Sequence, residues 1–456
     1  AVAILGGDLV MANCTVSGNN AKNGGGLAFN SDTIIDLQHI TVTLNTATGV
    51  ASSKGGGLYP NGALGSVSNS IFCGNTDQFA GTTTDNVNGT IPGGAQNLIN
   101  EDAMLGALAD NGGPTPTHAL LTGSPAINGG VAGTVTYDQR GVPRDQGNAP
   151  DIGAYETVRI VYVDDDWTGP ENVVGHAWGQ DAFSTLTAAL AAVPDGGVVH
   201  VAAGSYSEII TVNKYVSVIG AGSGTDGTIL TAASGGDTTV GVVNLTASGL
   251  SDEVPILLKD LRIEPVHRAG ISVGKFGKAT GTTVEYVKLD NVKVYGTNTG
   301  AATEQERGLY VDNTSTLKHL VVTDCAFDNL TYGWYFQKQV SADTSTVQDV
   351  TVLNTSFSHN NHKGIYAEKL SDATFTGCTI ADNGFDGSVL PDYFAPWMCG
   401  VDLNLKAGTY TNFTFDSCAI TGNALGGAKE GVGITIKARD DGGYATFPAA
   451  CADVLI

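Results

Sequence analysis

The stretch Gly333-Trp334-Tyr335-Phe336 decides the fold, because its pattern of glycine, apolar, any residue and apolar recurs along the second half of the chain. The other copies begin at Gly270, Gly308, Gly364, Gly400 and Gly433. A second alternating phrase precedes each copy, at 258–263, 289–294, 322–327, 352–357, 375–380 and 415–420. Alternation places one set of side chains inside and the other outside. Such a unit cannot bury its apolar face alone, so the pattern predicts two short strands per turn of a stacked, parallel solenoid.

The first half carries a related repeat. Similar phrases at 13–19, 39–45 and 69–75 end in Asn19, Asn45 and Asn75, and glycine triplets begin at Gly24 and Gly55 between them. Glycine and asparagine tolerate positive φ, which the tight corners of a coil require. The 62 glycines of the chain therefore indicate repeated corners rather than low complexity.

Composition narrows the classes of function. The chain has 456 residues, enough for two domains, and a formal net charge of −23 from 45 acidic and 22 basic residues. This balance argues against nucleic-acid binding, which needs a basic face, and against binding to an anionic membrane surface. No apolar run is long enough to span a membrane, so no transmembrane segment is expected. An acidic, lysine-poor composition rich in Gly, Thr and Asn suits an extracellular protein.

The cysteines favour packing over chemistry. Cys325, Cys378 and Cys418 occupy one equivalent position in different repeats, where Thr355 and Val292 stand in others. We expect a buried ladder of small side chains. A disulfide framework or a metal site fits these wide spacings less well.

Residues 101–156 carry motifs that resemble a known family. They read DNGGPTPTHALL at 110–121, GSPAI at 123–127, DQRGVPR at 138–144 and DIGAYE at 151–156. This block resembles the C-terminal segment of bacterial surface β-helix proteins, and the upstream repeats are similar to those of adhesin-like, polymorphic outer-membrane proteins. The resemblance implies a right-handed parallel β-helix, exported and displayed at the cell surface, with no known catalytic centre in this block. From its Pro and Gly content we expect the segment to wrap and close a solenoid end.

A second solenoid is predicted to begin after this block. An alternating strand at 160–163 precedes a helical pattern over about 182–193, in which Phe183, Leu186, Leu190 and Val193 share one face. The order resembles the N-terminal entry of pectin-lyase-like β-helices, where a helix plugs the solenoid mouth. We therefore expect 1–156 to be the C-terminal coils and closing segment of one β-helix, and 157–456 to be a second β-helix with an N-terminal capping helix.

The outward positions of the glycine-led strands form the candidate site. Tyr310, Tyr335, Tyr366 and Asp402 should stack on successive coils about 4.8 Å apart. Two residues further along, the same face carries Asp312, Gln337, Glu368 and Asn404. Rings flanked by carboxylates and amides suit a sugar chain, whose apolar C–H faces stack on aromatic rings. The competing interpretation is a tyrosine ladder that only stabilises exposed sheet.

Catalysis on this face has weaker support in the sequence. No arginine is expected on the tyrosine strip, the nearest being Arg307, and no Gly-His-Gly or paired-aspartate pattern of polygalacturonases is present. Glu368 and Asp402 fall on adjacent coils and are a formal carboxylate pair. No cofactor is predicted apart from a weak candidate for Ca²⁺: Asp164, Asp165 and Asp166 offer oxygen ligands, although consecutive strand residues point to opposite sides.

The sequence supports two classes of function. The first is a non-catalytic extracellular, cell-surface or appendage protein, a stiff spacer or adhesin that presents its face to glycans or to other copies of itself. Both ends of the chain interrupt strand patterns, so we expect a segment of a longer, processed protein that could associate head to tail. The second class is a secreted lyase, epimerase or hydrolase acting on polysaccharide. A convergent charged cluster that includes Arg or Lys would favour the second class, because function belongs to sites and not to folds.

Overall fold

The chain divides into two compact units. The computed structural model describes residues 2–49, 55–61, 63–79, 86–91, 93–144, 146–232, 239–279, 281–297, 306–339, 343–384, 398–424 and 432–456. One unit comprises Ala1–Arg159 with Pro194–Gly196, and the other comprises Ile160–Val193 with Gly197–Ile456.

The first unit is a short parallel β-helix whose coils contribute strands to four small sheets. The sheets are Val2–Ile4, Leu27–Phe29 and Leu58–Tyr59; Gly7–Ala12, Thr33–Gln38 and Leu64–Ser68; Thr15–Ser17, Thr41–Thr43, Ile71–Cys73 and Leu98–Ile99; and Asn20–Ala21, Thr46–Ala47 and Thr76–Asp77. Pairing within each sheet is parallel and in register, for example Val16 with Val42 and Val42 with Phe72. The inward positions, including Leu27, Val42 and Phe72, are buried.

An internal asparagine ladder connects the coils of this unit. The Asn45 amide donates to the Val16 carbonyl at 2.8 Å and to Asn75 Oδ1 at 2.9 Å, while its own Oδ1 accepts from Asn19 Nδ2 at 2.9 Å. Asn75 repeats the arrangement toward Asn86 at 2.8 Å. The asparagine that ends each repeated phrase therefore satisfies backbone groups at a buried corner.

The motif-rich segment after the coils lies along their side, where we had expected it to close an end. Its antiparallel pair is Leu105–Ala109 with Thr117–Leu120. Its hydrogen bonds reach all three coils: Asn13 to Tyr137, Ser17 to His118, Thr41 to Ala154 and Asn69 to Val131. The expectation of an end closure was wrong because the polar corner and outward residues of successive coils offer matching partners along the axis.

The second unit is a longer parallel β-helix with two principal sheets. The long sheet contains Ile160–Val163, Ala182–Phe183, Val198–Val201, Gly204–Ser207, Ser217–Ile219, Thr228–Thr231, Ile256–Glu264, Thr283–Tyr295, Thr316–Thr323, Ala326–Asp328, Val347–Leu353, Ser356–Ser358, Ser371–Thr376, Thr379–Ala381, Phe413–Asp416, Ala419–Thr421 and Val454–Leu455. The eight-stranded sheet contains Ile210–Val212, Val243–Leu245, Ala269–Val273, Arg307–Val311, Tyr332–Phe336, Lys363–Ala367, Cys399–Leu405 and Val432–Ala438. Gly408–Tyr410 pairs with Ala449–Cys451, and 3-10 turns span Pro170–Asn172 and Gly442–Tyr444.

Several coils of this unit have three strand segments where the sequence pattern predicted two, for example Val347–Leu353, Ser356–Ser358 and Lys363–Ala367. The phrase 322–327 contains Asp324 at φ 53°, and 352–357 contains Asn354 at φ 50°. Asp and Asn accept this left-handed conformation more readily than most residues, so each phrase turns a corner at that position. The prediction merged two segments because apolar alternation continues across the corner.

The predicted capping helix exists but is shorter than 182–193. The α-helix spans Leu186–Ala192, and Ala182–Phe183 is a strand paired with Tyr162–Val163. Thr185 is its N-cap, accepting from Ala188 N at 3.2 Å. The Glu208 carboxylate also accepts from Leu186 N and Thr187 N, at 2.9 and 3.0 Å. The helix begins where these acceptors meet its free N–H groups.

The core of the second unit confirms the inward positions of the repeat. Trp334, Phe336, Phe327, Phe357 and Phe375 are fully buried inside the coils. The predicted cysteine ladder is also confirmed, since Cys325 and Cys378 are buried beside Thr355 and Cys418 is partly buried.

Candidate functional site

The candidate site lies on the outward face of the eight-stranded sheet. Pairing places Tyr310, Tyr335, Tyr366 and Asp402 in one in-register column, which Thr435 extends. Strand alternation then puts Gln337, Glu368 and Asn404 in a neighbouring column, with Lys437 paired to Asn404. The structure thus brings the predicted residues together in the predicted order.

The three tyrosines form a continuous stack. Ring centroids are 6.0 Å apart for Tyr310 and Tyr335 and 5.2 Å apart for Tyr335 and Tyr366, with interplanar angles of 21° and 27°. Tyr332 flanks the stack, 4.7 Å from Tyr335. Parallel strands hold equivalent side chains one strand spacing apart, so rings in register stack.

One end of this strip is covered, which differs from the exposed face that we expected. Tyr310 is 1% exposed and Asp312 is 0% exposed. The Phe276 ring packs edge-on against Tyr310 at 5.5 Å, and Ser315 and Thr314 hydrogen-bond to the Asp312 carboxylate. Tyr335, Tyr366, Gln337 and Asn404 keep partial exposure. Outward strand positions do not reveal what loops cover them, and the accessible part of the strip begins at Tyr335.

Basic side chains lie on the strip, and the expectation that no arginine would lie there was wrong. The Arg307 guanidinium lies 4.1 Å from the ring centroid of Phe276, 5.0 Å from that of Tyr335 and 5.6 Å from that of Tyr310. Lys363 Nζ lies 4.4 Å from the Tyr366 centroid and contacts Asp402 Oδ2. These are cation–π contacts in a largely desolvated setting. Arg307, Tyr332 and Lys363 share one column, the residue immediately before each repeat glycine.

A hydrogen-bond network links the polar column to the rings. Tyr366 Oη donates to Glu368 Oε1 at 2.6 Å and accepts from Asn404 Nδ2 at 3.1 Å. Lys406 Nζ contacts the same Glu368 oxygen. At the covered end, Tyr310 Oη donates to Gln337 Oε1 at 2.8 Å, and Gln337 Nε2 donates to the Tyr335 hydroxyl at 3.1 Å. Glu368 and Asp402 each form an ion pair with a lysine. These are the two carboxylates that the sequence suggested as a catalytic pair.

A cavity of about 400 Å³ opens beside the last coils of this sheet. Its lining comprises Tyr332, Tyr335, Lys363, Tyr366, Asp402, Asn404, Lys406, Thr435, Lys437, Arg439 and Tyr444. Arg439 stacks on Tyr444 at 4.1 Å and bonds Asp441 at 2.6 Å. We call this cavity with its lining residues the tyrosine–lysine site.

Burial shifts the pKa values of the tyrosines and of the arginine at this site. Burial raises the pKa of Tyr335 and Tyr366, and the Glu368 carboxylate adds to the effect on both, so the two phenols are neutral at pH 7. Desolvation lowers the pKa of Arg307. The hydroxyls of the site therefore keep their protons, and that of Tyr366 donates to Glu368.

The acidic run at the start of the second unit lies on the long-sheet side. Asp164 follows the strand Ile160–Val163 and its Oδ1 accepts from Asp166 N at 3.0 Å, while Asp165 Oδ2 accepts from Ser205 N at 3.0 Å. Within the described ranges, no group of three or more His, Cys, Asp or Glu side chains is arranged to hold a metal ion. Calcium binding by Asp164–Asp166 stays a prediction.

Sequence reasoning missed Lys363, Lys406, Lys437 and Arg439. The signal was present: Lys363 takes the position of Arg307 in its repeat, and Lys406 follows Asn404 by two residues, as Arg439 follows Lys437. Period-two alternation places Lys406, Lys437 and Arg439 on the outward face, but it gives Lys363 the parity of the buried Ile365, so alternation alone did not predict its position. The prediction considered only the two columns centred on the tyrosines.

Comparison with known proteins supports the fold. Residues 242–442 match the family model of the right handed beta helix region, a range that includes the strands of the site through Ala438. This match confirms a right-handed parallel β-helix for that part of the chain and the resemblance to proteins of this fold. A search of the curated proteins found no match. No helix among the described residues is long and apolar enough to cross a membrane.

Three solved structures are similar at low identity. The mannuronan C-5 epimerase AlgE6 A-module of Azotobacter vinelandii is 13% identical, with 54% of this chain and 72% of that chain covered and a TM-score of 0.25. A mutant of the PL6 family alginate lyase AlyGC is 11% identical, with 100% and 68% covered and a TM-score of 0.28. ORF18 of Geobacillus virus E2 is 13% identical, with 50% and 53% covered and a TM-score of 0.22. These likenesses assign neither a site nor a substrate to this chain.

Proposed function

We propose that the second unit binds an acidic polysaccharide at the tyrosine–lysine site. The observation that carries this proposal is the concentration of positive charge. Four of the 22 Lys and Arg residues of the chain line one cavity, in a protein whose formal net charge is −23. A basic recess on an acidic protein attracts anionic ligands to that one part of the surface.

The rings give the site a preference for sugars over other anions. Tyr335 and Tyr366 are partly exposed and stacked 5.2 Å apart, so together they form a surface longer than one ring. The C–H faces of pyranose rings pack on such surfaces, and amides such as Asn404 pair with hydroxyl groups. A sugar chain that carries carboxylates matches both the aromatic and the basic parts.

The ion pairs divide the four cations into two kinds. Lys363 and Lys406 contact Asp402 and Glu368, and these lysines are 10% and 12% exposed. Lys437 lies on Val432–Ala438, the last strand of the eight-stranded sheet, and Arg439 follows it; the Arg439 side chain is 19% exposed and pairs with Asp441, which is 58% exposed. We propose that Lys437 and Arg439 bind the anionic group of the ligand. The two buried ion pairs orient the tyrosine rings.

The test is titration calorimetry of the full chain with uronate oligosaccharides and with neutral oligosaccharides of equal length. We expect binding of the acidic series, weakened by added salt. The double variant Lys437→Gln/Arg439→Gln should reduce affinity at least tenfold. The matched control Lys288→Gln/Lys318→Gln removes two cations from the long sheet, where they are 41% and 35% exposed, and should bind like the wild type. Equal binding by the two double variants would refute the site.

A second candidate function is a polysaccharide-active enzyme, a lyase, epimerase or hydrolase. The observation that favours it is the convergence of Lys363, Asp402 and the Tyr366 hydroxyl at one cavity, since proton transfer requires such groups within reach of one substrate atom. The same oligosaccharides, incubated with the protein and analysed by mass spectrometry and NMR, distinguish the candidates. Unsaturated, shortened or epimerised products would favour the enzyme, and unchanged bound sugar would favour the binding protein.

The wider role remains a proposal that follows from the binding function. A glycan-binding β-helix fits an extracellular or cell-surface spacer or adhesin, and head-to-tail association of copies would extend it. Sedimentation analysis over a range of concentrations tests the association. A strictly monomeric particle would contradict it. Loss of stability on chelation would support the calcium role of Asp164–Asp166.

A further inference from the structure

Two cysteines of the second unit occupy the same position on neighbouring coils. The strand Thr379–Ala381 pairs in register with Ala419–Thr421, with Thr379 opposite Ala419. Cys378 and Cys418 immediately precede these strands and are therefore opposite each other. Parallel neighbours lie about 4.8 Å apart, within the Cα separation of about 4.4–6.8 Å that disulfides span.

The two thiols also point the same way. Cys378 Sγ lies 3.6 Å from the Val352 carbonyl of the preceding coil, and Cys418 Sγ lies 3.4 Å from the Phe375 carbonyl of its own preceding coil. Val352 and Phe375 are themselves in register. The second thiol is thus a copy of the first, displaced by one coil, and the neighbouring Cys418 contributes to raising the pKa of the Cys378 thiol.

We propose that Cys378 and Cys418 form a disulfide when the protein meets an oxidant such as oxidised glutathione. The bond would join successive coils. The strand Cys399–Leu405, which supplies Asp402 and Asn404 to the tyrosine–lysine site, lies between the two cysteines in the sequence. The oxidised protein would hold that strand in a covalently closed coil. This inference does not depend on the ligand of the site.

The order of the steps follows from exposure. Cys418 is partly exposed, whereas Cys378 is buried. The Cys418 thiolate attacks oxidised glutathione first, which forms a mixed disulfide and releases one glutathione thiolate. The Cys378 thiolate then attacks Cys418 Sγ, forms the Sγ–Sγ bond and releases the second glutathione. Two thiols lose two electrons and two protons in total, and one glutathione disulfide takes them up. Burial raises the pKa of the Cys378 thiol to about 11, so the second step is the slow one.

The same position of the repeat provides a matched control in another coil. Cys325 lies in this ladder, but its neighbours are Val292 and Thr355, so it has no thiol partner on an adjacent coil. The variants Cys378→Ser and Cys418→Ser each remove one member of the pair. Cys325→Ser removes a thiol from an equivalent environment and leaves the pair intact.

The experiment counts thiols of the native full chain before and after oxidised glutathione and maps the bond by mass spectrometry. We expect the loss of two of the seven thiols in the wild type. A covalent link should join tryptic peptides 370–406 and 407–429, and it should break on reduction. Because Cys399 shares the first peptide, Cys399→Ser is included and should retain the link. Cys325→Ser should also lose two thiols, and its thermal midpoint, like that of the wild type, should rise on oxidation.

Several results would overturn the inference. These are retention of all seven thiols in native wild type while the urea-unfolded chain oxidises, a link to Cys399 in place of Cys378, or arrest at a glutathione adduct on Cys418. The mapping on wild-type protein decides the matter even if a serine variant fails to fold.

Discussion

Lys363 and Asp402 form an ion pair between adjacent strands of the eight-stranded sheet, and their side chains are only 10% and 7% exposed. The pair sits against the Tyr366 ring, at one wall of the cavity. A buried charge without its partner is costly, so each member fixes the position of the other, and the pair helps to orient the Tyr366 ring beside it.

We expect Lys363→Met to destabilise the second unit by about 3–5 kcal/mol, because it leaves the Asp402 carboxylate buried without a cation. The double variant Lys363→Met/Asp402→Leu should recover part of this loss. Urea unfolding followed by tryptophan fluorescence measures both. As a control, the more exposed pair Lys259 and Asp290, 3.3 Å apart, should lose at most about 1 kcal/mol on Lys259→Met. Equal losses at the two pairs would contradict the structural importance of burial.

Substitution of Tyr310 and of Tyr366 should separate stability from binding. Tyr310 is 1% exposed, so Tyr310→Ala should cost about 3–5 kcal/mol of stability, as for other buried aromatic side chains. Tyr366→Phe keeps the ring and removes the hydroxyl that bonds Glu368 and Asn404, so it should lower oligosaccharide affinity with a smaller loss of stability. Thermal melts and calorimetry on both variants test this division. Wild-type stability in Tyr310→Ala would show that the covered end of the strip is not structural.

The asparagine ladder should be the most sensitive polar feature of the first unit. Asn45→Ala removes buried donors to Val16 O and Asn75 Oδ1 and an acceptor for the partly buried Asn19 Nδ2. Each unsatisfied group costs about 1–3 kcal/mol, so the variant should lose at least about 3 kcal/mol. Asn61→Gly serves as the control at an exposed turn of positive φ and should change stability little. Amide hydrogen exchange of coils 13–19 and 39–45 provides the measurement, with faster exchange expected in Asn45→Ala alone.

His39 should make the first unit sensitive to acid. Its Nε2 accepts from Asn69 Nδ2 at 2.9 Å and its Nδ1 bonds the Asp151 carbonyl at 3.2 Å, so the neutral ring fills the site. Desolvation, with the charge of Arg144, lowers the pKa of His39 to about 3. Below pH 6.5 His39 is protonated in the unfolded state, whereas in the folded state it stays neutral until about pH 3. The free energy of unfolding therefore falls as the pH drops through this window.

The expected slope from His39 is at most about 1.4 kcal/mol per pH unit. Asp151 and Glu156 lie in the same cluster with pKa values raised by burial, so the total pH dependence has several sources. The difference between wild type and His39→Asn isolates the histidine, since Asn tolerates the φ of 51° at this position. Unfolding curves at pH 7, 5 and 4 provide the data. Parallel pH profiles for the two proteins would rule out the buried neutral ring.

The sequence by itself determined the parallel solenoid, its inward residues and the in-register columns. Glycine at 308, 333, 364 and 400 and the alternation around each one set a period-two face, and repeats of this shared pattern can bury that face only by stacking. The stack of Tyr310, Tyr335 and Tyr366 follows from that register. The cysteine ladder follows for the same reason, because equivalent residues of successive coils become neighbours.

The tertiary structure determined which residues pack against each in-register column of side chains. The corners at Asp324 and Asn354, the covering of Tyr310 by Phe276, and the placement of segment 101–156 along the coils depend on contacts between residues far apart in the chain. The pairing of Lys363 with Asp402 across 39 residues likewise required the register and the side-chain conformations together. A local pattern records which side of a strand a residue occupies, whereas burial and charge pairing depend on whatever folds against that side.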